Sequence, residues 1–240
     1  MSSPQRIEPS LINHLPTYHE VTGCSSGIGR ALATLIASKP SHRLIATARD
    51  PSSLSYLPDS SPSILKLPLD VTSPSSISAA FAAAQAAGFH PPDIVVNNAG
   101  YSLSGDTASA TEEETHKEME TLFFGTARVT TRAVEGMRPA VEGEEGEGGR
   151  GGVVFNMSSL AGLCAFPGHA YYHAGKWAVE GFSESVAREV HPGWNGGFFF
   201  FFFSSLVVLF LSCLALPCLA LRPPVLLEPL FYFPRVYSMA

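Results

Sequence analysis

Short apolar runs alternate with longer alanine-rich or amphipathic segments along most of the chain. Apolar runs of about four to eight residues between turn residues are typical of buried strands, and the longer segments are typical of helices. The pattern predicts, in order, strand 18–22, a helix through Ala31 and Ile36 to about Pro40, strand 43–48, strand 64–69, helix 76–87, strand 93–96, helix 111–137, strand 152–157 and helix 170–190. This alternation predicts an α/β fold, a doubly wound parallel sheet of the Rossmann type with helices on both faces.

The chain divides into three parts by composition. Residues 1–17 are polar and contain prolines, which predicts a disordered lead-in without a secretory signal. Residues 18–195 carry the alternating pattern and form the predicted Rossmann-type domain. Its first strand matches poorly, because His19 and Glu20 interrupt the apolar run that a central parallel strand normally shows. Residues 196–240 form a hydrophobic tail of different composition.

Charge and cysteine usage argue against several classes of function. The 240-residue chain has a net charge of −6, only 15% charged residues and no basic stripe, so nucleic acid is not an expected partner. The cysteines show neither a CxxC pair nor a zinc-binding spacing, which indicates a reducing compartment. They are Cys24, Cys164, Cys213 and Cys218. His169 and His173 stand four apart, but no third ligand accompanies them, so we predict no metal site.

A glycine-rich turn, TGCSSGIG over 22–29, follows the first predicted strand. Strand, glycine turn and helix in succession form the dinucleotide-binding arrangement, because glycines let the backbone approach a pyrophosphate and the helix N-terminus offers unpaired N–H groups. The spacing is GxxxGxG rather than GxGxxG. We therefore predict a dinucleotide site at this turn.

The end of the second predicted strand indicates which dinucleotide binds. In NAD-binding folds an acidic residue about 20 positions beyond the glycines takes the ribose hydroxyls, whereas an arginine there suits the 2′-phosphate of NADP. Ala48 and Arg49 occupy that place, and Asp50 comes one position later. This favours NADP(H) over NAD(H). The alternative is that Arg49 is a solvated loop residue.

The fourth predicted strand runs into Asn97-Asn98-Ala99-Gly100. A strand that ends in two amides and a glycine can place polar groups beside a cofactor at the carboxyl edge of the sheet. Taken alone, this tetrapeptide is equally typical of an ordinary turn.

Tyr172 and Lys176 stand four apart on the last predicted helix and so share one of its faces. A nearby ammonium favours phenolate over phenol, so Lys176 should lower the pKa of Tyr172 from about 10 toward neutrality. Tyr172 would then suit the exchange of a proton in the interconversion of a carbonyl and an alcohol. Such a pair also occurs by chance in many helices, and the other motifs decide its interpretation.

With the glycine turn, Asn-Asn-Ala-Gly, Ser158-Ser159 and Tyr-x-x-x-Lys in this order, the chain resembles the short-chain dehydrogenase/reductase family from about Val21 to Pro192. Segments 98–106 and 123–126 are most similar to an NADPH-dependent subgroup that includes acyl-dihydroxyacetone-phosphate reductases and relatives of 17β-hydroxysteroid and retinol dehydrogenases. The resemblance implies a cytoplasmic oxidoreductase that transfers a hydride between NADP(H) and a small carbonyl or alcohol, with a lipid-like substrate. It also implies a homo-oligomer.

The resemblance implies a role for each matching residue. Tyr172 would be the general acid and base, Lys176 would assist it and hold the nicotinamide ribose, and Ser159, thirteen positions before Tyr172, would bind the substrate carbonyl. The implied cofactor-binding residues besides Tyr172 and Lys176 are Gly23, Ser25, Gly27, Ile28, Gly29, Arg49, Asp70, Val71, Asn98, Ala99 and Gly100.

The chain departs from the family at Leu122, where the family usually has an asparagine that sustains a water relay to the lysine. Leucine cannot form hydrogen bonds. If the relay is needed, we expect turnover to fall by about two orders of magnitude. The alternative hypothesis for the whole chain is therefore a catalytically impaired remnant that still binds the cofactor.

The tail departs further, because the family continues there with another strand and a Pro-Gly turn. Residues 198–221 begin with the run Phe198–Phe203 and carry no charge, and a bilayer crossing needs about 20 apolar residues. One interpretation is a membrane anchor at the cytoplasmic face of an intracellular membrane or lipid droplet, kinked at Pro217. A second is a buried or misfolded tail, which would aggregate. We favour a third, translated non-coding sequence, because Phe, Ser, Leu and Pro codons can all be rich in pyrimidines.

Overall fold

The structure, a computed structural model, describes residues 16–89, 91–138 and 151–190. The strands are β1 (Thr17–Val21), β2 (His42–Ala48), β3 (Ile64–Pro68), β4 (Ile94–Asn97) and β5 (Val153–Asn156). The helices are α1 (Gly27–Ala37), α2 (Pro74–Ala86), α3 (Glu112–Met119), α4 (Thr126–Met137) and α5 (Ala170–Glu189). Every strand and helix predicted from the sequence is present, with ends shifted by a few residues.

The strands form one parallel sheet in the order β3-β2-β1-β4-β5. This order confirms the doubly wound Rossmann-type sheet, because the chain moves outward from β1 in one direction and returns to continue from β4 in the other. Ligands of such sheets bind where the order reverses, at the carboxyl ends of the two central strands. The glycine turn after β1 and the Asn-Asn-Ala-Gly segment after β4 therefore lie side by side at that place.

Each face of the sheet has its own hydrophobic core. The core shared with α2 and α4 includes Tyr18, Ile45, Ile77, Ala80, Val95, Val129, Ala133 and Val154. The core shared with α1 includes Val21, Ala33, Ile36, Leu44, Ala46 and Val96. Because neighbouring residues of a strand point to opposite faces, each strand contributes to both cores, and the prediction of helices on both faces is confirmed.

Strand β1 forms although two polar residues interrupt its apolar run. Main-chain pairing with β2 on one side and β4 on the other holds it in place. His19 forms a hydrogen bond with His42, with 2.6 Å between His19 Nε2 and His42 Nδ1. Burial, and to a smaller extent the charge of His42, lowers the pKa of His19 to about 4. Glu20 is 2% exposed on the other face, and burial raises its pKa to about 8.

The long helix predicted over 111–137 is not continuous. It begins with a capping box in which Glu114 N donates to Thr111 Oγ1 and Thr111 N donates to Glu114 Oε2. Between α3 and α4 the backbone forms a π-helical turn, Glu120–Gly125, of the kind that often marks functional positions. A Cβ on Gly125 would come 2.8 Å from Val71 Cγ2, so the turn packs closely against the segment after β3. Leu122 lies within this turn.

Residues 1–15 of the predicted lead-in, 1–17, and the predicted tail, including the candidate span 198–221, lie outside the described residues. Thr17, the last residue of that predicted lead-in, is the first residue of β1. Among the helices in the described ranges, none combines the length and the apolar character that a bilayer crossing requires. The predicted boundaries of the domain, 18 and 195, stay a prediction.

Candidate functional site

The turn after β1 and the turn after β4 are joined through Thr22 and Asn98. Thr22 Oγ1 accepts hydrogen bonds from the backbone N of Asn98 and of Ala99, and the donor–acceptor distance is 3.0 Å in each. Asn98 Nδ2 in turn donates to the carbonyl oxygen of Thr22 over 2.9 Å and to that of Gly23 over 3.3 Å. The Asn98 side chain therefore shapes the glycine turn itself, a contact that the sequence motif did not reveal.

Two of the glycines are required by the closeness of these segments. Gly23 has a φ of +71°, and a Cβ there would come 2.9 Å from Ala99 Cα. A Cβ on Gly29 would come 2.4 Å from both Asn98 Nδ2 and the Gly23 carbonyl oxygen. Larger residues would push the two turns apart. The glycines thus allow helix α1 to begin directly against the carboxyl edge of the sheet.

The start of α1 presents a surface that fits a pyrophosphate. Ser25, Gly27 and Ile28 are exposed, and Ile28 keeps 57% of its surface open to solvent. The N-cap residue Ser26 makes no side-chain hydrogen bond to α1. The amides of the first turn therefore lack the usual side-chain cap and can bind an anion, with the helix dipole adding positive potential. These residues fit the phosphates of a dinucleotide.

The segments after β2 and β3 border the same edge. Arg49 is exposed and interacts electrostatically with Asp70. Burial by itself would raise the pKa of Asp70, but hydrogen bonds from Thr72 and the charge of Arg49 outweigh it, and the pKa lies below its usual value. Asp70 is thus a carboxylate that accepts hydrogen bonds from the Thr72 N–H and hydroxyl over 2.9 and 2.7 Å. Val71 beside it is buried.

Helix α5 carries Tyr172 and Lys176 to the carboxyl end of β5. Lys176 Nζ donates to the Met157 carbonyl oxygen over 2.6 Å and lies 5.7 Å from the centroid of the Tyr172 ring. Lys176 is only 7% exposed, whereas Tyr172 is partly exposed. The structure therefore places the two residues of the Tyr-x-x-x-Lys motif together, with the ammonium fixed by the main chain.

Burial and nearby carboxylates have opposite effects on the pKa of Lys176. Burial lowers the pKa of Lys176 to about 8, against the opposing influence of Glu180 and Glu118. An ammonium with such a pKa remains charged at neutral pH and loses its proton in a mildly alkaline range. The acidic partners come from two helices, because Glu180 lies on α5 and Glu118 on α3.

The serine pair lies between β5 and the short 3₁₀ turn Leu160–Gly162. Ser159 Oγ accepts a hydrogen bond from the Ala161 N–H over 3.2 Å, as the N-cap of that turn. Because Oγ acts as an acceptor there, the Ser159 hydroxyl hydrogen can point elsewhere. Ser158 Oγ is buried and has no hydrogen-bond partner within the described part of the chain. Ser159 follows Met157, the residue that binds Lys176, by two positions.

Leu122 is buried and packs against Gly100 and against Gly175, the residue before Lys176. It is 1% exposed, and it lies so close to two glycines that a Cβ on Gly100 would come 2.9 Å from Leu122 Cδ2 and a Cβ on Gly175 would come 3.0 Å from Leu122 Cδ1. The position at which the family usually has an asparagine is therefore occupied by a closely packed apolar side chain that directly contacts the residue before Lys176.

His169 and His173 bind different partners and do not face a common ligand. His169 Nε2 forms a hydrogen bond with Ser104 Oγ over 2.8 Å. His173 Nδ1 bonds to the Ala161 carbonyl oxygen over 2.8 Å, and His173 Nε2 accepts from the Phe166 N–H over 3.2 Å. Within the described ranges no group of three or more histidine, cysteine, aspartate or glutamate side chains is arranged to hold a metal.

A buried polar network that the sequence motifs did not reveal lies behind the site. Asn97 Nδ2 donates to Thr130 Oγ1 over 2.9 Å and to Asn156 Oδ1 over 2.8 Å. Asn156 Nδ2 then donates to Ser183 Oγ over 2.8 Å. These bonds tie β4, β5, α4 and α5 together. A polar residue at the end of two apolar strands was the available signal, but it could not show which helices would supply the partners.

A family model described as short chain dehydrogenase matches residues 20–193. The chain is 67% identical over 195 residues to oxidoreductase calM of Penicillium decumbens, an alignment that covers 80% of this chain and 62% of the relative. It is 36% identical over 173 residues to 3-ketodihydrosphingosine reductase of Bacteroides thetaiotaomicron, with 72% of this chain and 58% of the relative covered. The chain thus spans about three fifths of the length of these relatives.

A solved structure shows the same fold. The crystal structure of a short-chain dehydrogenase from Streptomyces avermitilis superposes with a TM-score of 0.68 at 33% identity, over 77% of this chain and 64% of that one.

Proposed function

The chain belongs to the short-chain dehydrogenase family, and on this basis we propose that it is an oxidoreductase that transfers a hydride between NADP(H) and a carbonyl/alcohol pair. The nicotinamide supplies or accepts the hydride when it is bound. The residues of this chain bind and orient the reactants and move the proton that accompanies the reduction.

The contact between Lys176 and Met157 carries this proposal. It fixes the ammonium 5.7 Å from the centroid of the Tyr172 ring, so the two residues of the motif lie together. Tyr172 can then give its phenolic proton to the oxygen of a carbonyl as that carbonyl is reduced, and take the proton back in the reverse direction. Its partial exposure leaves it accessible to a substrate.

Ser159 would position the substrate oxygen. Its Oγ is already engaged as an acceptor from the Ala161 N–H, so the hydroxyl hydrogen can be donated to a carbonyl. We expect this hydrogen bond to strengthen as negative charge develops on the oxygen. Ser159 and Tyr172 would therefore bind the same substrate atom.

The turns after β1, β2, β3 and β4 would bind the cofactor. The uncapped start of α1 suits the pyrophosphate, and the exposed guanidinium of Arg49 suits the 2′-phosphate that distinguishes NADP(H) from NAD(H). Asp70 and Val71 would border the adenine, and Asn98 would hold the glycine turn in shape. The remaining proposed contacts come from Gly23, Ser25, Gly27, Ile28, Gly29, Ala99 and Gly100.

Exposed apolar side chains in the segment that follows Ser159, and at Tyr101 in the loop after β4, support a lipid-like substrate. Leu160, Leu163 and Phe166 keep 46%, 42% and 43% of their surfaces exposed, and Tyr101 keeps 40%. An apolar substrate would remove part of this surface from water. One relative is named as a reductase of 3-ketodihydrosphingosine.

Two exposed aromatic side chains support the proposed homo-oligomer. Phe124 on the π-helical turn is 46% exposed, and Trp177 on α5 is 54% exposed.

The experiment is to measure cofactor binding and turnover separately. Purified protein is titrated with NADPH and with NADH by fluorescence, and oxidation of each cofactor is followed with a panel of ketones and aldehydes that includes long-chain 3-keto compounds. We expect tighter binding of NADPH and turnover with an apolar carbonyl. NADPH binding without turnover across the panel would instead support the alternative, a catalytically impaired remnant that still binds the cofactor.

A further inference from the structure

A buried carboxylate on α3 has no role in the assignments above. Glu118 is fully buried, with 0% of its surface exposed. Its Oε1 accepts a hydrogen bond from the Leu103 N–H over 2.6 Å. Its Oε2 is also buried and has no hydrogen-bond partner in the described part of the chain. An acidic side chain in such a place normally has both oxygens satisfied, so the second oxygen calls for an explanation.

Glu118 lies where it can influence Lys176. It precedes Leu122 by four residues, so the two side chains project from the same side of the chain at the junction of α3 and the π-helical turn. Leu122 contacts Gly175, the neighbour of Lys176. Glu118 interacts electrostatically with Lys176 and with His169, and its negative charge acts to raise the pKa of Lys176. Helix α3 packs against α5, so the buried carboxylate and the buried ammonium lie on two helices in contact.

We propose that Glu118 is a positioning residue for Lys176, and that its unpartnered Oε2 accepts a hydrogen bond from a water that also binds the Lys176 ammonium. In this arrangement the relay that the family anchors on an asparagine is anchored one helical turn earlier, and Leu122 can remain apolar. The proposal rests on the proposed function, because it assigns Glu118 a task in that reaction. No proton needs to leave Glu118; it keeps Lys176 charged and oriented.

Several charged or titratable groups surround Glu118 and enter any interpretation of its titration. Lys176 and His169 act on Glu118 from α5 and its N-cap, and Glu180 on α5 acts on Lys176. Glu118 and Glu114, one turn earlier on α3, both act on Tyr101 in the loop after β4. Burial raises the pKa of Glu118, against the Leu103 N–H and the charges of His169 and Lys176. The positive groups thus help to keep Glu118 ionised when Lys176 is protonated.

The test compares Glu118→Gln with Glu113→Gln, an exposed glutamate on the same helix. Glutamine keeps an oxygen for the Leu103 N–H but removes the charge. In protein labelled with ¹⁵N at the lysine side chains, the amine of Lys176 is titrated by NMR, with Lys176→Arg used to assign its signal among Lys39, Lys66 and Lys117. We expect Glu118→Gln to lower the pH at the midpoint of the Lys176 amine titration, here called the Lys176 midpoint, by about one unit. Glu113→Gln should leave it unchanged.

Kinetics provide the second readout. Glu118→Gln should lower kcat for NADPH-linked reduction about tenfold at pH 8, shift the alkaline limb of the pH profile to lower pH and leave KM unchanged. Glu118→Asp keeps the charge and should restore the Lys176 midpoint toward the original value. In a Leu122→Asn background the effect of Glu118→Gln on kcat should shrink, because asparagine would supply a second anchor.

The outcomes distinguish a failure of the inference about Glu118 from a failure of the proposed function. An unchanged Lys176 midpoint in folded Glu118→Gln overturns the inference, whether or not the protein turns over. A wild-type protein that binds no NADPH or reduces no carbonyl overturns the proposed function, while the NMR titration still decides whether Glu118 holds the charge of Lys176. An active enzyme whose pH profile does not respond to Glu118→Gln would show that Glu118 is structural only.

Discussion

Lys176 Nζ donates a hydrogen bond to the Met157 carbonyl oxygen, with 2.6 Å between the two atoms. This bond joins α5 to the segment that follows β5. It holds a buried ammonium beside the Tyr172 ring, and its acceptor Met157 lies two positions before Ser159. The proposed catalytic residues come from two separate segments, and this contact links those segments directly.

Replacing Lys176 by methionine should remove turnover but not the fold. Methionine fills a similar volume without the charge, so kcat should fall by about two to three orders of magnitude. In the unchanged enzyme we expect kcat to decline above about pH 8, because the ammonium loses its proton there. Steady-state rates from pH 6 to 10 check both expectations. Lys117→Met, at an exposed position on α3, is the control and should keep the original profile.

Leu122→Asn should raise turnover at a cost in stability. The new amide can bind a water next to Lys176, and a gain in kcat of about tenfold is expected. Loss of a buried leucine that packs against Gly100 and Gly175 should lower the free energy of unfolding by about 2–4 kcal/mol. Parallel measurement of kcat and of urea unfolding separates the two effects. Leu122→Met, which stays apolar, should leave kcat as it was; a similar rise with methionine would exclude the water explanation.

Glu20 should make the protein less stable as the pH rises. The folded-state pKa of about 8 lies above the ordinary value of 4.5, so the neutral form is favoured by folding. The contribution of neutral Glu20 to the free energy of unfolding is fully present below about pH 4.5. It falls by about 1.4 kcal/mol per pH unit up to about pH 8, where the buried group ionises. Glu20→Ile should therefore raise Tm more at pH 8 than at pH 5.

Thermal unfolding of Glu20→Ile across that range provides the measurement. Glu113→Gln, which changes an exposed carboxylate, should shift Tm equally little at every pH. A gain from Glu20→Ile that is the same at pH 5 and pH 8 would mean that Glu20 is not buried in its neutral form.

Arg49→Asp should change the preferred cofactor. Removing the exposed guanidinium removes the group proposed to bind the 2′-phosphate, and the new carboxylate repels it and can accept from ribose hydroxyls. We expect the ratio of NADPH to NADH affinity to fall by about 100-fold. Fluorescence titration with each cofactor measures the ratio. Lys39→Asp, an equal change of charge at an exposed residue after α1, should leave the ratio nearly constant; an equal fall in both variants would indicate only long-range attraction.

The sequence predicted the sheet because apolar runs and the helical segments between them are local features. The order of strands and the contact between the turns after β1 and β4 then follow from the rules for parallel sheets. The interruption at His19 and Glu20 did not prevent β1, because main-chain pairing on both sides and alternation between faces place one polar residue in each core.

The contacts that hold the site were less accessible from sequence. Thr22 accepts from Asn98 and Ala99, more than 70 positions away, and no local pattern specifies such a pairing. Leu122 could be identified as a departure from the family, but not its place in a π-helical turn. Glu118 looked like an ordinary helical glutamate, because its burial depends on the loop at Leu103 and on α5.

The measurement that tests the central claim most directly compares Tyr172→Phe with Tyr171→Phe. The two tyrosines are neighbours on α5, both are partly exposed, and each change removes one hydroxyl. With the best carbonyl substrate, Tyr172→Phe should lower kcat by about 100-fold or more with nearly unchanged NADPH affinity, whereas Tyr171→Phe should stay within about threefold of the original. Unchanged NADPH-dependent reduction by Tyr172→Phe would contradict the assignment of Tyr172 as the proton donor.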